Sequence, residues 1–306
     1  MTYCVGMLLD KGMAFMSDTR TNSGVDNIST FRKMFSWSVP GERHITMMTA
    51  GNLATTQALI SQLEERTKAP NDRKPSILAA PTMFQVANIV GATLRDTISA
   101  RALTGPVAAS PAPNFNASVI LGGQIKGMEP RLYLIYPEGN FIEASPETPF
   151  FQIGETKYGR PILVRGFESH MSFADITKLL MVSFDSTLKA NLSVGMPLDL
   201  MLYKNDEFQA FHERRITSDD PYFENISDSW STALRNAFQA RRPVVDRVHA
   251  GHHRQQHLRG ADVRGGLLAA DVLLACLQRQ AVGRVAVCVD TDAHQPPGQA
   301  ALEFVA

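Results

Sequence analysis

The sequence predicts an α+β layered sandwich rather than a parallel βαβ sheet. Segments of strand composition come in adjacent pairs with hairpin-length links, and a pair of helical segments separates the first strands from the next. Parallel neighbours need a crossover of a dozen or more residues, so short links imply antiparallel pairing. With 306 residues, 44% of them apolar, the chain can bury about 75% of the surface its unfolded form exposes. Metal or disulfide staples are not required.

Residues 3–9 and 13–16 have strand composition and are separated by Asp10-Lys11-Gly12, a hairpin-length connection containing glycine. A polar stretch, 19–29, precedes a second pair of strands at 31–39 and 45–50, joined by the turn Pro40-Gly41-Glu42. After Gly51 the period becomes helical. Asn52 is a cap, and Leu53, Thr56, Ile60 and Leu63 recur on one face. Beyond a proline-rich linker, Met83, Val86, Ile89 or Val90, Leu94 and Ile98 define a second helix that Gly105-Pro106 closes. Strands return at 118–121, ending before Gly122-Gly123, and at 132–136, ending at Pro137-Glu138-Gly139-Asn140. A third helix occupies about 172–190 and an alternating strand 194–202, where Pro197 marks an edge or a bulge. Asp220-Pro221 then starts a helix carrying Ile226, Trp230, Leu234 and Phe238.

Composition excludes several functions. The 30 Lys plus Arg balance 30 Asp plus Glu, so the basic excess that phosphate contacts require is missing and nucleic-acid binding is not expected. Cys4, Cys276 and Cys288 are too few and too scattered for a disulfide framework or a CxxC zinc site, which fits a reducing compartment. The amino terminus has no basic region followed by an apolar run, and no stretch of about 18 uncharged apolar residues occurs. The expectation is a soluble cytoplasmic protein, off the membrane and without a leader.

Residues 1–240 read as one domain and residues 241–306 as something else. The latter contain five of the eight His but no Lys, Met, Ile, Ser, Asn, Tyr or Trp. Two explanations stay open: a separate, disordered tail, or a change of coding frame near Gln239. His249, His252, His253 and His257 could share a helical face that zinc would accept, but no acidic or Cys companion stands at a set spacing, so no metal is expected.

The candidate chemistry begins at Thr2. A small side chain at position 2 permits removal of the initiator Met, which would leave a free α-amine beside a hydroxyl. An α-amine has a pKa of about 7.7–8.0, so near neutral pH it can take the hydroxyl's proton, placing nucleophile and base in one residue. Ser17 is a weaker candidate, since no GxSxG elbow surrounds it and no His is near in sequence. Cys4 reads as core.

Thr2-Tyr3-Cys4-Val5-Gly6, Phe15-Met16-Ser17-Asp18-Thr19-Arg20, Phe31-Arg32-Lys33-Met34 and Thr49-Ala50-Gly51 resemble, in order, the active-site strands of proteasome β-type subunits. More narrowly, the stretches around Ser17-Asp18-Thr19-Arg20, Ile28-Ser29-Thr30-Phe31-Arg32-Lys33, Gly154-Glu155-Thr156-Lys157 and Asn191-Leu192-Ser193-Val194-Gly195 resemble the bacterial ancestral β-subunit group called Anbu. The resemblance covers roughly the first 240 residues. It implies a four-layer αββα sandwich of the N-terminal-nucleophile hydrolase type. It also implies a threonine peptidase without a cofactor that acts on peptide or unfolded protein, assembled through its helical faces as a homo-oligomeric ring or open helix. An ATP-dependent unfoldase partner follows only by analogy with related bacterial proteases; no docking motif supports it, and the open Anbu assemblies argue against it.

By the same resemblance Thr2 attacks a carbonyl, Lys33 lies beside it, Asp18 pairs with Lys33, and the Gly51 N–H serves the oxyanion. A cation at Lys33 disfavours a second positive charge on the Thr2 amine and steadies developing negative charge. The lysine spacing is one residue shorter than in typical proteasome β-subunits. Glu155 stands where a serine is expected, and Asp185, Asn191 and Ser193 take no assigned role. A hydrolase of small amides or isopeptides, and a non-catalytic oligomeric scaffold, are the alternative readings.

Overall fold

The computed structural model describes residues 2–23, 27–68, 75–104 and 114–240. The expectations for 241–306, including His249, His252, His253 and His257, lie outside them, as does the helix end expected at Gly105-Pro106. The chain divides into two units after Gln239, and the architecture below is that of the first.

Two five-stranded antiparallel sheets form the centre. In the first, β1 (Tyr3–Leu9) and β2 (Gly12–Asp18) are joined by β10 (Phe150–Gly154), β11 (Leu198–Lys204) and β12 (Ala210–Ile216) in the order β10-β1-β2-β11-β12. The second runs in sequence order through β5 (Met34–Val39), β6 (Arg43–Gly51), β7 (Ala117–Ile125), β8 (Arg131–Ile135) and β9 (Phe141–Glu143). A short ribbon of β3 (Arg20–Ser23) and β4 (Asn27–Thr30) stands apart. Helices α1 (Leu53–Lys68) and α2 (Met83–Thr104) cover the second sheet; α3 (Arg160–Gly166), α4 (Phe173–Ala190) and α5 (Pro221–Gln239) lie on the side of the first.

The period-2 alternation of each strand separates the layers. On β1, Tyr3, Val5 and Met7 pack with Ile176, Leu180 and Phe184 of α4. Their neighbour Cys4, with Met13 and Phe15 of β2, meets Met48 and Ala50 of β6 and Ile120 of β7 between the sheets. On β6 the same logic sends Ile45 and Met47 to Leu59, Leu63 and Val86 of the helices above. The result is the expected αββα sandwich, in which the central strands of both sheets are covered on two faces. Among the described residues no helix is long and apolar enough to cross a membrane.

The caps read at Asn52 and Asp220 are in place, and Ser172 caps a third helix. Asn52 Oδ1 accepts the Thr55 N–H at 3.0 Å, Ser172 Oγ accepts that of Asp175 at 3.0 Å, and Asp220 Oδ1 accepts those of Tyr222 and Phe223 at 3.0 and 3.2 Å.

Other boundaries differ from expectation. Gly122 and Gly123 do not end a strand: β7 runs through both to Ile125. A Cβ on Gly122 would stand 2.5 Å from Phe15 Cζ, and one on Gly123 would stand 2.5 Å from the His44 carbonyl oxygen. The pair makes room for large side chains of the facing layers and does not turn the chain. The strand expected over 31–39 starts only at Met34, and the polar stretch 19–29 holds the ribbon. Pro197 does not mark an edge, since β11 begins at the next residue and pairs on both sides, with β2 and with β12.

His44, on β6, is wholly buried between the sheets. It hydrogen-bonds Ser38 Oγ at 2.8 Å and Thr46 Oγ1 at 2.9 Å and stacks on Tyr203 with centroids 4.9 Å apart. Burial holds its pKa down at about 4, below the ordinary 6.5 of an unfolded chain. Above pH 6.5 the ring is neutral in both states and contributes fully; as pH falls from 6.5 toward 4 only the unfolded state takes the proton, and about 3 kcal/mol of stability is lost. By chemical denaturation, the stability advantage of wild type over His44→Gln should therefore be larger at pH 7.5 than at pH 4.5; an equal advantage at both would contradict this assignment.

Candidate active site

Four segments distant in sequence converge at the first residue of β1. Tyr3 pairs with Gly154 of β10, and the Glu155 N–H donates to the Thr2 carbonyl at 2.6 Å. Gly154 has φ +82°, and a Cβ on it would stand 2.0 Å from the Thr2 carbonyl oxygen. Glycine is thus required for β10 to come this close.

Asp18 closes β2 and is fully buried. Its Oδ1 accepts the Tyr3 N–H at 2.9 Å and the Lys33 ammonium at 2.8 Å, and its Oδ2 accepts the Gly195 N–H at 3.4 Å. Burial pushes the carboxyl above the usual carboxylate range, while Lys33 and the two backbone N–H groups pull it back. Lys33, itself buried, also donates to the Arg20 carbonyl at 2.5 Å. Gly51 ends β6 with φ +116°, and a Cβ there would stand 2.4 Å from the Asn116 carbonyl oxygen. No other residue fits without displacing β7.

Thr2, Lys33 and Gly51 line one cavity of about 190 Å³, together with Arg32, Thr49 and Gly154 among others. Asp18 lies beneath, behind Lys33. The four candidate residues are therefore grouped around Thr2, three on the wall and one under it. A hydroxyl, an ammonium with its counter-ion and a glycine at a strand end are the parts that acyl transfer uses. Among the described residues no group of three or more His, Cys, Asp and Glu could hold a metal ion.

Glu155, Asn191 and Asp185 have structural partners. Glu155 accepts the Lys157 N–H at 2.7 Å and the Asn191 side-chain amide at 2.9 Å. Burial opposes its ionisation, yet these donors and the Thr156 and Tyr158 N–H groups hold its carboxyl below the usual range. Its amide anchors Thr2, so Glu155 steadies the site through its backbone, a role its side-chain type does not signal. Asn191 Oδ1 accepts the Ser193 N–H at 3.0 Å, and Asp185 pairs with Lys189 at 3.0 Å on α4. Ser17 is buried on β2, and Cys4 is buried with its thiol pushed up by desolvation; neither lines the Thr2 cavity.

A family model described as "Proteasome subunit" matches residues 2–196. No curated protein matches the chain. Among solved structures, an Anbu (Gly-1) mutant from Hyphomicrobium sp. strain MC1 is 48% identical with a TM-score of 0.73, over 79% of this chain and 99% of that one. Anbu (ancestral beta-subunit) from Yersinia bercovieri is 43% identical and the helical assembly of the Anbu complex from Pseudomonas aeruginosa 41%, each with a TM-score of 0.73 over the same shares. The fold is that of a proteasome-like, N-terminal-nucleophile hydrolase family. Within it, the chain belongs to the Anbu (ancestral β-subunit) group.

Lys33→Met removes the counter-ion of a buried carboxylate while keeping most of the bulk. It should cost about 3–5 kcal/mol at pH 7.5, measured by urea denaturation. The cost should shrink at pH 5, where the stranded Asp18 carboxyl takes up a proton; a pH-independent cost would show that the pair is not what Lys33 supplies.

Proposed function

We propose that this chain is a threonine peptidase whose nucleophile is Thr2, exposed by removal of Met1. The observation that carries the reading is the meeting of Thr2, Lys33 and Gly51 in one cavity, with the Asp18 carboxylate holding both Lys33 and the Tyr3 N–H beneath it.

In the acylation step, Thr2 Oγ attacks the scissile carbonyl carbon and its proton passes to the Thr2 α-amine. The carbonyl π-pair moves to oxygen, where the Gly51 N–H donates to the oxyanion; one such donor is worth roughly 10² to 10³ in rate. Collapse of the tetrahedral adduct breaks the C–N bond, and the α-ammonium returns its proton to the departing amine. A water molecule then repeats the sequence on the ester, with the α-amine as base, and releases the acid and Thr2. Lys33 keeps the α-amine neutral by proximity of charge, and Asp18 keeps Lys33 in place.

The Pseudomonas aeruginosa relative's helical assembly supports a homo-oligomer here. A buried, unpaired Cys4 thiol suits a cytoplasmic setting.

The test is intact-mass analysis after treatment with a β-lactone, whose ring-opening leaves its whole mass as an ester on the nucleophile. Purified protein should lack Met1 and gain one adduct at Thr2, and Thr2→Ala should gain none. Retention of Met1, or equal labelling of the variant, would leave the non-catalytic scaffold as the reading.

A further inference from the structure

One cation at the Thr2 cavity has no place in the chemistry above. Arg32 borders the cavity of about 190 Å³ that holds Thr2, Lys33 and Gly51. It also borders a second cavity of about 500 Å³, whose walls include Asp199, Glu213, Arg214 and Arg215.

Every other basic side chain on these walls is engaged. Lys33 is held by Asp18 and the Arg20 carbonyl. Arg214 pairs with Asp220 at 2.5 Å, and Arg215 grips Asp199 through two nitrogens at 2.7 and 2.9 Å. Arg32 is exposed and, among the described residues, has neither hydrogen bond nor ion pair. Of the two acids on these walls, Asp199 is taken by Arg215, and Glu213 accepts only from Ser36 Oγ at 3.4 Å.

The backbone that presents this guanidinium is pinned on both sides. The Phe31 N–H donates to the Thr19 carbonyl at 2.9 Å, and the Thr49 N–H donates to the Lys33 carbonyl at 3.0 Å. Lys33 turns inward to Asp18 while its neighbour stays at the surface beside the nucleophile. Thr21, Thr49 and Thr56 line the same cavity, with the apolar Ala50 and Leu53. An unpartnered guanidinium at the edge of a cavity walled by both threonines and apolar residues favours a carboxylate, which the planar fork can hold with two parallel hydrogen bonds.

We infer that Arg32 selects acidic peptides, pairing with an Asp or Glu side chain next to the bond to be cut while that bond's carbonyl lies over Thr2. This rests on Thr2 being the nucleophile. A neutral side chain loses the pairing but meets no repulsion, and a basic one faces both Arg32 and Lys33. The expected order is therefore acidic, neutral, basic.

Peptide vinyl sulfones bearing Glu, Leu or Lys beside the electrophile test this on the full chain. Thr2 Oγ adds to the vinyl carbon that carries the peptide, β to the sulfone, and its proton ends on the carbon beside the sulfone, so nothing leaves and the whole probe mass appears on Thr2. The Glu probe should label about tenfold faster than the Leu probe, and the Lys probe slowest. The ratio should shrink toward one at about 1 M salt, where the Debye length falls to about 3 Å. Within each variant the Glu-to-Leu ratio cancels any general change in reactivity: it should fall to about one in Arg32→Ala, and Arg32→Glu should favour the Lys probe. A ratio near one in wild type, or one that Arg32→Glu leaves in place, overturns the assignment while labelling by the Leu probe preserves the nucleophile. Absence of labelling by all three probes removes both.

Discussion

The Asp18 carboxylate, wholly out of water, is the constraint on which the site depends. A buried charge costs several kcal/mol unless it is paired and its lone pairs are filled. Its partners come from three other segments: the Tyr3 N–H from the start of β1, Lys33 from the link that leads into β5, and the Gly195 N–H from the loop that leads into β11. Each of those segments must be in place for Asp18 to be tolerated. One ion pair thus ties the first sheet to the entry of the second and fixes Thr2, which is covalently next to Tyr3. Stability and the geometry around Thr2 are the same requirement.

Much of the architecture was legible because burial repeats at the period of the element. β1 matches its expected span residue for residue, and α1 and α5 start at the caps read from Asn52 and Asp220. What escaped lacks such a signal. β12 presents Phe211, His212, Glu213, Arg214 and Arg215 to solvent in succession, so its sequence, AFHERRI, does not alternate. The ribbon of β3 and β4, RTNS and NIST, is polar but for Ile28 and shows no alternation. Gly122 and Gly123 were misread for a different reason. Local chemistry makes a glycine pair a turn, but the groups that demand it, Phe15 at Gly122 and the His44 carbonyl at Gly123, are distant in sequence and invisible to any local pattern.

The candidate site was legible in kind only in part. A threonine at position 2 suggests a terminal nucleophile on its own. Asp18, Lys33 and Gly51 came from resemblance, since an acid at a strand end, a lysine in a link and a glycine before a helix are each common. Their convergence is a property of sheet pairing. Glu155 was unassigned because its contribution is a backbone amide donated to Thr2, which any residue type but proline could make. Arg32 differs from neighbouring cations only by lacking a partner, a fact that exists only in three dimensions.

Gly154 carries a consequence for the order of events in the life of the chain. Its left-handed conformation and missing side chain let β10 clasp Thr2, and β10 arrives late in the sequence. A nascent or half-folded chain therefore exposes a threonine that is aimed at nothing, with no ammonium or strand-end glycine around it. On the proposed reading, the surroundings that would make the terminus a nucleophile exist only once folding is complete.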